Sequence, residues 1–279
     1  MNHCLLGPGN TGKTCYLYLM RCKLLSDFPQ TYNAGGGHWA DEKSINMGQW
    51  PLRGELYSAG NRFEPPFIRI TDKTQRNEDS HFFPDLAGGW CELVAKIKPN
   101  MEDVVKEAAK SGRRVSTRKL LIGKELRRPF QFLSTCSAYH LFLDLSLEGE
   151  AWDKNVSDLQ MVVSTLRDNI FPFASAGELD KPVVVVLNKS DTITDEVTEM
   201  YQSGEVAKKY LVQHRGNHLI AALHALFKHE NIHYVFHSNV GKTKSDGNGG
   251  RLPDYDFFYS IPGDVYCGNF RNFIEKVHA

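Results

Sequence analysis

Short apolar runs separated by longer mixed segments set the rhythm of this chain. "HCLL" (3–6), "FIRIT" (67–71), "SHFFPD" (80–85), "YHLFLDL" (139–145), "PVVVVLN" (182–188) and "IHYVFHS" (232–238) all have strand length. A nearly unbroken apolar run of that length suits a strand covered on both faces, as in parallel sheets. The patterning predicts helices over 14–25, about 93–128, 155–170, 194–228 and 269–277. Strand–helix alternation predicts an α/β fold with a mostly parallel sheet and helices on both faces. The polar "DKTQRNE" after "FIRIT" predicts a hairpin there. Two stretches read as loops, the Gly-rich 33–66 and a surface excursion at 241–256. No linker divides 1–279, so one elaborated domain is expected.

Composition narrows the class further. Basic and acidic residues balance at 33 each, so no net field draws in nucleic acid or a membrane surface. An apolar content of 41% supports a sizeable core. No apolar run approaches the ~20 residues of a membrane span. The first strand starts at once, so no targeting peptide is expected. Cys4, Cys15, Cys22, Cys91, Cys136 and Cys267 have neither paired nor metal-ligand spacing. They read as reduced thiols, and a cytoplasmic location is expected.

The chemistry begins at "GPGNTGKT" (7–14), which satisfies G-x-x-x-x-G-K-[ST] between a strand and a helix. Glycines at 7, 9 and 12 let backbone N–H groups curl around phosphate, and the helix N-terminus adds its dipole. Gly7, Gly9, Asn10, Thr11, Gly12, Lys13, Thr14 and the following Cys15 are the candidate phosphate-side contacts. Lys13 would reach the β- and γ-phosphates, and Thr14 would hold Mg²⁺. The base is read from Asn188-Lys189-Ser190-Asp191, at the C-terminal end of "PVVVVLN". The Asp191 carboxylate can accept from guanine N1–H and the 2-amino group. Adenine lacks that donor pair and would leave the carboxylate unpaired. Asn188 can tie the base edge to the loop, and the Lys189 stem can lie on the base plane. The bland alternative is a polar turn with Asp191 capping the next helix.

On these residues the chain resembles the Ras-like G domains of the TRAFAC class of P-loop GTPases, in an elaborated, bacterial-type form. The resemblance implies a D-x-x-G motif, supplied by Asp85 and Gly88 in "HFFPDLAGG", with the aspartate reaching Mg²⁺ through water. Asp144, ending "YHLFLDL", is the rival, but only Asp85 has the following glycine. The Ser-Ala-Lys-like turn falls on Ser238 and Asn239 in "FHSNVG". The family's glutamine position is Gly89, which has no side chain to orient water. Asn10 stands where related GTPases use an asparagine with K⁺. The resemblance implies binding of GTP and GDP, Mg²⁺-assisted hydrolysis and a protein effector. A GTP-dependent binding module with little hydrolysis, or more distantly a P-loop ATPase or kinase, are the alternatives.

The long interval from Asp85 to Asn188 implies an insertion, about 91–135, before the fourth sheet strand. Within it, 106–128 carries Lys106, Lys110, Arg113, Arg114, Arg118, Lys119, Lys124, Arg127 and Arg128 against Glu107 and Glu125. That run reads as a solvated helix face, a dock for an anionic partner, or the source of an internal arginine finger.

Overall fold

A computed structural model of the chain describes residues 1–36, 67–74, 80–84, 132–172, 174, 176–248 and 251–278. The predicted helix at 93–128, the bulk of the insertion, and Asp85, Gly88 and Gly89 lie outside them.

Four parallel strands form the centre: β1 (His3–Leu6), β5 (Ala138–Asp144), β6 (Val183–Asn188) and β7 (Ile232–His237), in the order β1-β5-β6-β7. Every residue of β5 and β6 is buried, which accounts for their continuous apolar sequence. Three antiparallel strands follow the order β2 (Tyr32–Gly36), β3 (Phe67–Asp72) and β4 (Ser80–Pro84). The β3–β4 hairpin is as the pattern predicts. Pro84 ends its strand opposite Phe67, where a missing N–H breaks little of the ladder. A parallel bridge, Asn2 to Phe82, and a 2.8 Å bond from Phe82 N–H to Met1 O join β4 to β1. The two sheets therefore adjoin along β4 and β1 as one layer.

Two apolar clusters cover the layer. One joins Leu6, Leu141, Leu143, Val185 and Leu187 to Leu159, Val162 and Val163 of α2 (Gly149–Thr165) and to Leu219 and Leu223 of α4 (Asn217–His224). The other joins Leu5, Phe142, Val184 and Val186 to α1 (Lys13–Asp27) and to α6 (Gly263–His278). Alternate residues of β5 and β6 thus face opposite cores, the period of two that a pleated strand imposes. This is the α/β architecture of a P-loop nucleotide-binding protein: parallel strands, helices on both faces, and the glycine loop between β1 and α1.

Several elements differ from the sequence expectation. The single helix expected over 194–228 is a 3₁₀ turn (Glu199–Tyr201), α3 (Glu205–Gln213) and α4, broken at Gly204 and Gly216. The helix expected from 155 begins at Gly149, and beyond Thr165 the chain widens to π spacing over Leu166–Ile170. The loop expected from 33 starts as edge strand β2, whose "YNAGG" lacks the β-branched signal of a buried strand. The excursion at 241–256 holds a small hairpin, β8 (Thr243–Ser245) and β9 (Arg251–Pro253), before α5 (Tyr255–Ser260). The last helix starts earlier than expected, at Gly263.

A chain of buried imidazoles crosses the join between the antiparallel and parallel strands. His3 Nδ1 lies 3.0 Å from His140 Nε2, and His3 Nε2 lies 2.8 Å from His81 Nδ1. Each neutral imidazole offers one donor and one acceptor, so the donors must run in one direction along the chain.

Candidate functional site

The C-terminal ends of the parallel strands assemble the site. Asp144, Asn188 and His237 stand in one row, in register across β5, β6 and β7. Ligands bind at that edge in open α/β sheets. The loop leaving β1 arrives at the same edge. At its start Gly7 passes so close to β5 that a β-carbon there would lie 2.8 Å from Phe142 O. At its end Gly12 takes φ +85°, a left-handed turn that an L side chain resists.

Lys13 is buried and folded onto its own loop. Its ammonium donates to Gly7 O at 2.7 Å, Pro8 O at 2.9 Å and Thr11 Oγ1 at 3.3 Å. Thr11 Oγ1 in turn donates to Pro8 O at 3.0 Å. Gly9 and Asn10 form the exposed tip of the loop, with Asn10 at φ +66°. Thr14 is buried and Cys15 half-buried in the first turn of α1.

Asn188 ties the strand end to the loop, as its Nδ2 donates to Thr11 O at 2.7 Å. Lys189 adopts a left-handed backbone, φ +65°. Its ammonium pairs with Asp144 Oδ2 at 2.5 Å and reaches Ser146 Oγ at 3.3 Å. Asp144 is buried, and its Oδ1 accepts from Ser146 N–H at 2.9 Å and Ser146 Oγ at 2.6 Å. Both of its oxygens thus anchor Lys189 and the following turn. Asp191 lies in the 3₁₀ turn Ser190–Thr192, half-buried, and Ser238 Oγ donates to its Oδ1 at 2.5 Å. Ser238 Oγ accepts from Gly241 N–H at 2.9 Å, which fixes the direction of the hydroxyl proton. Asn239 Nδ2 donates to Gly12 O at 3.2 Å.

The loop residues, Asn188, Lys189, Asp191, Ser238 and Asn239 thus converge, although they come from three distant segments. Two further residues complete the frame. Tyr201 Oη donates to Ser238 O at 3.0 Å, and Tyr266 Oη donates to Asn239 O at 2.9 Å. Neither tyrosine belongs to a motif, so no pattern along the chain marks it. A separate cleft of about 580 Å³ opens at the outer edge of β7, lined by Gly204, Lys208, Tyr234 and Lys276 among others, and includes none of the site residues.

The chain matches no family model and no curated protein sequence. Among solved structures it is similar to a mutant of S. thermophilus NFeoB bound to GDP, at 13% identity and a TM-score of 0.29. That match covers 69% of this chain and 46% of the other. It is also similar to the signal recognition particle receptor SRb-GTP/SRX complex from Chaetomium thermophilum, at 14% identity and a TM-score of 0.39. There 87% of this chain and 94% of the other are covered. The strand order and the placement of the loop define the architecture independently of these likenesses.

Proposed function

We propose that this chain is a guanine-nucleotide-binding protein of Ras-like type that hydrolyses GTP to GDP and phosphate. The observation that carries the reading is the pairing of the two motifs. Asn188 bonds the phosphate loop directly, while Asp191, three residues on, is held by Ser238 at the same edge. That arrangement suits one ligand with phosphates at one end and a purine with two adjacent donors at the other. Lys13, satisfied here by loop carbonyls, has an ammonium that phosphate oxygens would capture as stronger, charged acceptors.

Thr14, an oxygen ligand at the start of α1, fits a hard cation, and Asp85 is its expected companion. Mg²⁺ held there would neutralise phosphate charge. The exposed Asn10 has an amide oxygen suited to K⁺. Hydrolysis consists of attack by water on the γ-phosphorus, with the bond to the bridging oxygen breaking and GDP leaving. With Gly89 in place of a water-orienting side chain, turnover by the chain alone is slow. A GTP-dependent binding module is the second reading, favoured by that same glycine.

Nucleotide competition tests the base assignment. GTP displaces a labelled GDP analogue, and ATP at equal concentration does not; equal displacement overturns the reading. Lys13→Ala lowers GTP affinity at least tenfold, about 1.4 kcal/mol, while leaving the fold intact. Single-turnover hydrolysis then separates the enzyme from the binding module.

A further inference from the structure

Gly12 is where the phosphate loop turns into α1. A β-carbon built on it would lie 2.5 Å from Asn188 Nδ2 and 2.5 Å from Asn239 Nδ2. Two amides, one just past β7 and one at the end of β6, therefore close on the loop through the space a side chain would fill. Asn188 holds Thr11 O, and Asn239 holds Gly12 O. Gly12 O also accepts the Tyr16 N–H at 2.8 Å, the first bond of α1. Whatever moves Gly12 moves the helix N-terminus that faces phosphate.

The neighbour of Asn239 works on the other half of the site, since Ser238 Oγ holds Asp191. The Ser238–Asn239 backbone is fixed from behind by Tyr201 and Tyr266. Both tyrosines are buried, and burial pushes their phenols far up, so both remain donors. Among the described residues, the amide oxygens Asn188 Oδ1 and Asn239 Oδ1 are buried without a hydrogen-bond partner. A clamp that leaves its own acceptors unpaired is only modestly favoured, so it can be tightened or released by what binds beside it.

We propose that Asn239, braced by Tyr201 and Tyr266, is a positioning residue that couples base recognition at Asp191 to phosphate binding at the Gly7–Thr14 loop. A base bonded to Asp191 loads Ser238, the shared dipeptide backbone carries that load to Asn239, and Asn239 sets Gly12. This rests on the guanine-nucleotide reading above.

Four ligands measure the coupling: GTP, ITP, GMP and IMP. The inosine forms lack the 2-amino group that Asp191 accepts from, and the monophosphates lack the β- and γ-phosphates. The quantity read is the ITP/GTP ratio of Kd divided by the IMP/GMP ratio. It is about fivefold or more in the parent, the lower end of ordinary coupling between sites. In Asn239→Ala it falls to about one, and in Tyr266→Phe it falls at least by half. A merely structural role would weaken all four ligands by one factor and leave the quotient unchanged, which overturns the proposal. A parent quotient of one also overturns it, while the guanine reading stands. If the parent binds GTP and ITP equally, Asp191 does not read the 2-amino group, and the guanine reading fails together with the proposal. Should Asn239→Ala not fold, Tyr266→Phe, which keeps the ring and removes one oxygen, decides the matter alone.

Discussion

At the scale of single residues, the site is built from close approaches that tolerate no extra atom. Gly12 combines φ +85° with two amide nitrogens 2.5 Å from where a β-carbon would stand. Gly12→Ala adds left-handed strain to a clash and costs about 2 kcal/mol or more. A lower urea midpoint with an unchanged m-value is the expected result. Asp191 tests the chemistry instead of the packing. Asp191→Asn keeps an oxygen for Ser238 Oγ but presents N–H where guanine also donates. Xanthine has a carbonyl at that place, so preference moves from GTP toward XTP by at least tenfold, about 1.4 kcal/mol. Competition binding with the two nucleotides reads it directly, and a variant that still prefers GTP as the parent does would remove Asp191 from the base site.

At the scale of elements, buried imidazoles make the packing of the strands sensitive to acid. Burial, with His81 beside it, pushes His140 down to about 3. Burial alone pushes His237, among Tyr16, Tyr201 and Tyr266, to about 3. Unfolded, both return to about 6.5. Between those values the unfolded chain binds more protons than the folded one. Their contribution is therefore complete above about pH 6.5 and is lost as pH falls toward 3. Each histidine adds a slope of about 1.4 kcal/mol per pH unit within that window. Urea unfolding at pH 4.5, 5.5 and 7.5 should show the slope, and His140→Phe should reduce it by one histidine's share. An unchanged slope in that variant would mean that His140 does not stay neutral in the fold.

At the scale of the whole molecule, the proposed nucleotide site draws on the loop after β1 and on the ends of β6 and β7. Binding there stabilises the fold as a unit. At a hundredfold excess over Kd, GTP with Mg²⁺ adds about 2.7 kcal/mol. For a chain of this size that raises Tm by roughly 5 °C. ATP under the same conditions leaves it unchanged. An equal shift with both nucleotides would show a phosphate site without a base site.

What the sequence determined is whatever is local. The strands β5 and β6 are legible because every residue in them is buried and nearly all are apolar. The loop and the Asn188–Asp191 set are legible in the sequence because each is a motif of residues a few positions apart. The breaks at Gly204 and Gly216 are not, because a glycine inside a helical pattern is a weak signal. Only the tertiary structure decided how the pieces meet. It paired Lys189 with Asp144, Ser238 with Asp191 and Asn239 with Gly12, and it put Tyr201 and Tyr266 behind them. The chain His140–His3–His81 was equally invisible, for no pattern links three histidines on three strands. The reason is common to all of these. A hydrogen bond between residues far apart in sequence depends on strand order and register, and those are set by the burial of the whole sheet and not by any one segment.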